Sequence, residues 1–173
     1  MSGVCEDPAS EVINVIMKAL KRAFDPEFSC PSDAKVSPTV RFFAGEGMPL
    51  EAWNAHAQAT GCDEPLLWVR VINRYPSQRF PDPMININPC GLPEVIALEI
   101  GIARCCVVDA NPSWDEYATE AEQSLDDSWR VKNALCAAMS YLKDDHQVGT
   151  DRVEPFGPEG GVLGWAAKAY VQV

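Results

Sequence analysis

The sequence predicts an α+β fold, in which a small, mainly antiparallel sheet of about four strands carries an N-terminal helix and a long helix. Two observations predict this class. Segments with helical and strand patterns follow one another in the order helix, strand, short helix, strand, strand, long helix, strand. Strands that are neighbours in the chain usually pair in space, which favours an antiparallel sheet with the long helix across one face.

A single domain over residues 1–173 is expected, because a chain of 173 residues buries one core and is short for two. Its composition, 47% hydrophobic and 23% charged, is typical of a folded globular chain. Two loop insertions, near residues 44–64 and 76–93, are expected within the domain.

The charge is acidic: 14 basic residues stand against 25 acidic ones, a net charge of −11. We therefore expect no tight binding to a nucleic-acid backbone, since few counterions would be released. No apolar stretch reaches the roughly 18 residues of a membrane span. The first ten residues also lack the features of a secretory signal. The sequence thus predicts folding in the cytoplasm in which it is made, without a membrane partner.

The first helix is predicted from "DPASEVINVIMKALKRAF", with Asp7 as the N-cap candidate and Pro8 at the first helical position. Its apolar stripe comprises Ile13, Ile16, Met17, Leu20 and Phe24. A loop rich in proline and serine follows to Pro38, and residues 39–43 predict a short strand. The segment "LEAWNAHAQATG" predicts a short helix that Gly61 ends.

Two longer strands flank a proline-rich loop. Residues 65–75 predict a strand with two mixed faces, one with Leu67, Val69 and Val71, the other with Trp68, Arg70, Ile72 and Arg74. Residues 76–93 contain five prolines and predict a long loop. Residues 94–108 predict a strand whose even positions are buried and whose face with Glu99 and Gly101 is less buried. Gly101 there indicates a bulge or a close backbone approach.

The strongest local signal is "SWDE" at Ser113 to Glu116, a capping box that predicts the start of the long helix. Its apolar stripe is expected to run through Tyr117, Ala121, Leu125, Ser128/Trp129, Leu135/Cys136, Met139 and Leu142. A break at Asp126–Asp127, giving two helices in tandem, stays open. Residues 143–155 predict a polar loop. The turn "FGPEGG", with positive φ at Gly160 or Gly161, then leads into a last strand, 162–173, that must lie within the sheet.

The seven cysteines are expected to be free and mostly buried thiols, because the cytosol is reducing and their number is odd. They are Cys5, Cys30, Cys62, Cys90, Cys105, Cys106 and Cys136. A bridge between Cys62 and Cys90, formed after the protein leaves the cell, stays open as an alternative. The chain has no C-x-x-C and only two histidines, so we expect no metal and no cofactor.

No pattern typical of catalysis is present. The chain has no G-x-S-x-G, and Asp126 and Asp127 project about 100° apart on a helix, which predicts a solvated face. We therefore expect no catalytic residues and no enzyme. A small cytosolic enzyme with a thiol nucleophile, Cys105 or Cys106, is the alternative from that class. The five tryptophans exceed what one core needs, so one or two are expected to anchor an interface.

Four segments together resemble a family of small virion structural proteins from long-tailed phages of actinobacteria. In that family a "VRV…YP…FP" segment, an "LEVGVLRC" strand, an acidic long helix and a "GPxGGxxGxxW" turn precede the last strand. The corresponding positions are Val69–Pro81, Leu98–Cys105, Ser113–Leu142 and Gly157–Trp165. The resemblance covers about the last two thirds of the chain. The chain departs from the pattern at "LGW", Leu163 to Trp165, where the family often has further glycines and a second cysteine.

The resemblance implies a protein of the head-to-tail connector, foremost the tail terminator: a homohexameric ring that caps the tail tube, stops its polymerisation and joins tail to head. The implied partners are further copies of the chain, the major tail tube protein and a head-completion protein. Genomic DNA would pass through the lumen without sequence-specific binding. The implied location is the neck of the virion, after assembly in the host cytoplasm. A head-completion stopper protein is the alternative within this class, and an adaptor that binds one peptide as a monomer is a third.

Contacts within the ring or along its axis are expected from the two insertions, near 44–64 and 76–93, because both are long, anchored by strands and rich in Arg, Phe and Trp. The candidate interface residues are Arg74, Tyr75, Arg79, Phe80, Trp53 and Trp68.

Overall fold

A computed structural model describes residues 7–27, 38–46, 50–85, 88 and 91–173. The elements are α1 (Ala9–Phe24), β1 (Val40–Phe43), α2 (Leu50–Thr60), β2 (Leu66–Pro76), β3 (Glu94–Cys105), α3 (Trp114–Leu142), β4 (Val148–Glu159) and β5 (Val162–Gln172). The predicted α+β class is confirmed. Cys5, Cys30 and Cys90 lie outside the described residues, as do most of the loop after α1 and parts of both expected insertions.

The strands form one mixed sheet in the order β1-β2-β3-β5-β4. β1 runs parallel to β2, and every other pair is antiparallel. β5 lies between β3 and β4, and the amide of Val173 donates a hydrogen bond to the carbonyl of Glu94 over 2.9 Å. The expectation that the last strand lies within the sheet is therefore confirmed.

β4 is a fifth strand where the sequence predicted a polar loop. It is an edge strand, so it tolerates Pro155 and Pro158, whose missing amides would break a central ladder. Its pairing with β5 shifts register twice, and its residues are mostly exposed. The predicted turn is confirmed: Gly160 and Gly161 join the two strands with φ of 60° and 79°.

Both long helices pack on the same face of the sheet and enclose the main core. α1 lies against β2 and β1, whereas α3 lies mainly against β5 and β4. α1 buries Ala9, Val12, Ile16, Leu20 and Phe24, so the predicted stripe is rotated slightly, with Ile13 and Met17 half-buried. The sheet contributes apolar side chains from alternate positions of its central strands, namely Leu67, Val69, Ile96, Leu98, Ile100 and Ile102.

The opposite face of the sheet carries a smaller core beneath α2. The predicted short helix is confirmed: the amide of Gly61 donates to the carbonyl of Ala57 at its end. Trp53 of α2 packs with Leu66, Trp68, Ala103 and Val162, all of them buried.

Trp68 of this second core lies directly over Gly101, where a Cβ would stand 2.2 Å from Cζ2 of the indole. The predicted close approach at Gly101 is thus confirmed, and the partner is the ring of the cross-strand neighbour. The expectation that this face of β3 is less buried is wrong, because Val95, Ala97, Gly101 and Ala103 are all buried there.

A bulge between Val71 and Asn73 of β2 changes the face on which Arg74 lies. Arg74 stands opposite Ile96, whose side chain belongs to the helix-bearing face. Its guanidinium donates to Asp7, ahead of α1, over 2.7 and 2.8 Å. The prediction that Arg74 shares a face with Trp68 is therefore wrong, since the extra residue inverts the alternation.

α3 is one continuous helix of 29 residues, so the alternative of two helices in tandem is excluded. The predicted capping box is confirmed. The hydroxyl of Ser113 accepts from the amide of Glu116, and the Glu116 carboxylate accepts from the amide of Ser113.

Candidate functional site: two grooves on the helix-bearing face

The first half of α3 projects apolar side chains into solvent. Buried residues of α3 begin only at Asp127, so the predicted apolar stripe is exposed over the first three turns of the helix and buried only beyond them. Leu125 is 69% exposed and Trp129 48%, and Trp114 and Tyr117 are exposed as well. Large apolar side chains clustered on a surface are typical of an interaction site.

Leu125 and Trp129 border an open groove of about 570 Å³ between α3 and the β4–β5 hairpin, which we call the α3 groove. Its lining residues are Glu122, Leu125, Asp126, Ser128, Trp129, Lys132, Val153 and Trp165. The indole Nε1 of Trp165 donates to the Ser124 hydroxyl over 2.9 Å, which fixes the sheet side of the groove to the helix. Two of the five tryptophans therefore line one exposed apolar surface.

A buried ion pair anchors α3 to the sheet directly beside this groove. Arg104 of β3 donates to both carboxylate oxygens of Asp127, over 2.6 and 2.9 Å. Burial raises the pKa of Asp127, and the hydrogen bonds and charge of Arg104 oppose that rise. The prediction that Asp127 belongs to a solvated face is wrong, because its side chain is 2% exposed.

Asp126, its neighbour, is exposed in part and forms an ion pair with Arg130 one turn later. The same guanidinium donates to the carbonyl of Ala23 near the end of α1 over 2.9 Å. The adjacent carboxylates Asp126 and Asp127 therefore hold α3 against α1 and β3 and do not converge on a common point.

A second, smaller groove lies between α1 and β1 on the same face of the sheet, and we call it the α1–β1 groove. Its volume is about 290 Å³, and it is lined by Asn14, Met17, Lys18, Lys21, Thr39 and Val40. Phe42 lies two residues beyond Val40, hence on the same side of β1, and is 51% exposed. This groove combines two ammonium groups with an apolar floor.

The cysteines differ from the expectation of free, buried thiols. Cys62 and Cys105 form a disulfide that ties the end of α2 to the end of β3, with their Cα atoms 5.6 Å apart. The alternative Cys62–Cys90 bridge is therefore excluded, because Cys62 is bonded to Cys105. The two bonded cysteines are distant in sequence and are brought together by the tertiary fold. Cys106 and Cys136 are free, and Cys136 is exposed.

Cys106 is half-buried next to Glu120. Burial, together with the negative charge of Glu120, raises the pKa of its thiol. A raised pKa disfavours the thiolate form that nucleophilic catalysis requires.

Trp53 and Trp68, two of the candidate interface residues, are buried inside the subunit. They pack with Leu66, Ala103 and Val162 in the second core and are not available to a partner. The tryptophans that line the α3 groove are Trp129 and Trp165. The sequence signal for Trp129 was its place in the α3 stripe, whereas Trp165 had only the excess of tryptophan as a signal.

The other four candidates lie around the proline-rich loop. Tyr75 donates its hydroxyl to the carbonyl of Pro81 over 2.7 Å, and the ring of Phe80 lies next to Gly149 of β4. The loop therefore folds back across the sheet, where Arg79 projects into solvent. Arg74 lies on the helix-bearing face in its two ion pairs. None of the six candidates lines the α3 groove.

Both histidines have backbone partners: a ring nitrogen of His56 contacts the carbonyl of Glu64, and one of His146 contacts that of Gln172. Within the described ranges, no three His, Cys, Asp or Glu side chains converge as metal ligands. The helices of the described chain are also each too short or too polar to cross a membrane.

No protein-family model matches the chain, and a search of curated proteins found no match.

Proposed function

We propose that the protein is a structural component of a phage head-to-tail connector, and specifically a tail terminator. In this role copies of the chain form a homohexameric ring that caps the tail tube, stops its polymerisation and docks to the head-completion protein. The ring belongs to the neck of the virion and forms in the host cytoplasm. It carries out no catalysis and needs no cofactor.

The observation that carries the proposal is the exposed α3 groove. Leu125 and Trp129 stand in water in the subunit, although aromatic and leucine side chains are stabilised by leaving water. A surface of this kind fits a protein that works in contact with other protein surfaces.

The segments that resemble the phage family support the same proposal. Three of them, the "LEIGIARC" strand, the acidic helix and the "GPEGG" turn, form β3, α3 and the β4–β5 hairpin. α3 and this hairpin line the groove, so the resemblance and the exposed apolar surface coincide in space.

The acidic charge is consistent with a channel that conducts DNA. A net charge of −11 per subunit repels the phosphate backbone, so DNA would slide past the wall without binding to it. In this proposal the protein makes no sequence-specific contacts with the genome.

The test is the mass of the purified native protein by light scattering, alone and with purified tail tubes, followed by negative-stain imaging. We expect species of about six subunits, as rings or as caps at tube ends, because heterologous contacts close when the rotation divides evenly. Rings that bind portal complexes and ignore tubes would replace the terminator with the head-completion stopper. A protein that stays monomeric at every concentration and binds neither would refute the proposal.

A further inference from the structure

We propose that the α3 groove of one copy binds the α1–β1 groove of a second copy, so that identical chains associate head to tail. The inference deepens the proposed function, because it names the surfaces that join neighbouring subunits, and its ring closure rests on that function.

Opposite charge on the two grooves is the first argument. Between Trp114 and Trp129, α3 carries six acidic residues and no Lys or Arg. Asp127 is buried in its ion pair with Arg104 and Asp126 is paired with Arg130, whereas Asp115, Glu116, Glu120 and Glu122 have no ion-pair partner among the described residues. Glu122 lines the α3 groove together with Asp126 and one basic residue, Lys132. The described lining of the α1–β1 groove carries Lys18 and Lys21 and no carboxylate. A chain of net charge −11 would otherwise repel its own copies, so contact is favoured where the basic side chains meet the acidic ones.

Apolar surface on both sides is the second argument. The α3 groove offers Leu125 and Trp129, and the α1–β1 groove offers Met17, with Phe42 exposed on the same side of β1 two residues beyond the lining residue Val40. A central apolar contact with a charged rim is the arrangement of a stable interface. Leu125 and Phe42 are each more than half exposed, so burying them would remove apolar area from water on both copies.

The positions of the grooves give the association its direction. β1 and β4 form the two edges of the sheet, and the grooves lie above these edges on the same face. Because the two surfaces differ and lie at opposite ends of the subunit, each contact leaves one groove of each kind open. Association of this type is heterologous, so it continues until a ring closes.

Two variants, each defective in one groove, test the inference. Lys18→Glu/Lys21→Glu reverses the charge of the α1–β1 groove, and Leu125→Ser/Trp129→Ser removes two large apolar side chains from the α3 groove. Each variant alone should lose self-association, with a dissociation constant raised at least about tenfold. Mixed in equal amounts, the two should form dimers that grow no further, because only one intact pair of grooves remains. Sedimentation velocity of the single and mixed samples measures this.

The matched controls are Lys143→Glu, an exposed charge reversal, and Tyr141→Ser, which removes an exposed aromatic ring of α3 outside both grooves. Both controls should assemble as the wild type does. Thermal unfolding of every variant identifies loss of folding, and a groove variant that unfolds early is replaced by Lys21→Glu or Leu125→Ser alone.

The outcomes separate this inference from the proposed function. If the groove variants form rings as the wild type does, or if either variant alone still forms long assemblies, the head-to-tail contact is refuted. The connector role is unaffected by that result. Dimers from the mixture, together with wild-type rings that do not bind tail tubes, would support the contact and refute the terminator role. A wild type that stays monomeric with and without tubes would overturn both.

Discussion

The ion pair between Arg104 and Asp127 should be one of the most sensitive points of the fold. The two side chains are 17% and 2% exposed, and two hydrogen bonds of 2.6 and 2.9 Å join them. Arg104→Met preserves most of the packing volume and leaves the Asp127 carboxylate buried without this partner. Removing one member of a buried pair costs about 3–5 kcal/mol, because the remaining charge keeps its desolvation penalty.

The loss of stability caused by Arg104→Met should depend on pH, because the charge of Asp127 depends on pH. Burial already raises the pKa of this carboxyl above its ordinary value of 3.8, and loss of Arg104 should raise it further. A carboxyl whose pKa is raised by folding stabilises the folded state at pH values below its pKa in the unfolded chain. This contribution to stability is lost as the pH rises through its pKa in the folded protein. The penalty of Arg104→Met should therefore be full at neutral pH and should shrink toward pH 4.

Urea unfolding followed by tryptophan fluorescence, for wild type and variant at neutral and acidic pH, measures both effects. The matched control is Arg152→Met, whose ion pair with Glu154 is 78% and 53% exposed and should contribute less than about 1 kcal/mol. Adding Asp127→Asn to Arg104→Met should recover much of the lost stability, since it removes the buried charge. If Arg104→Met lowers the free energy of unfolding no more than Arg152→Met does, or lowers it equally at both pH values, Asp127 is not a buried charge that depends on Arg104.

Three further predictions concern the stability of the folded chain. Gly101→Ala should lower the free energy of unfolding by about 1–3 kcal/mol, because its Cβ would overlap the Trp68 ring; an unchanged urea midpoint would contradict this contact. Ser113→Ala should lower the free energy of unfolding by about 1 kcal/mol because the capping hydrogen bond is lost, whereas Ser113→Asp should retain most of the stability. Equal urea midpoints for the two variants would argue against the cap. Reduction of the disulfide should lower the free energy of unfolding by about 4 kcal/mol, because Cys62 and Cys105 are 43 residues apart in sequence. Cys62→Ser should be as unstable as the reduced wild type and should not respond to reductant, and a wild type whose stability does not change with reductant would exclude the bridge.

The local elements of the fold were predictable from the sequence where a short-range signal determines them. The capping box at Ser113, the glycine end of α2 and the turn at Gly160–Gly161 each depend on residues within a few positions. β4 was not predicted, because its prolines and charged residues are typical of a loop. It is a strand only because it pairs with β5. The inverted face of Arg74 depends on a bulge for which "VINR" carries no local signal.

The candidate site was predictable only in part, for the same reason. The apolar stripe of α3 and the abundance of tryptophan indicate an interface, but helical periodicity does not say which turns lie beyond the sheet. Trp53 and Trp68 appeared equally suitable as interface residues. Their burial depends on the packing of Trp68 over Gly101 and of Trp53 of α2 in the same cluster. The partners of Asp127 and Cys62 are likewise distant in sequence, at Arg104 and Cys105.

The position of β5 between β3 and β4 has a consequence for the kinetics of folding. β3 can pair with β2 early, but its other neighbour is separated from it by the whole of α3 and β4. Closing such a long loop slows folding relative to local pairing. Until β5 is inserted, β3 presents an open edge lined by Val95, Ile96, Leu98 and Ile100, which a second nascent chain can join. The yield of folded protein should therefore fall as the chain concentration during synthesis rises, even though the finished sheet has β3 fully enclosed.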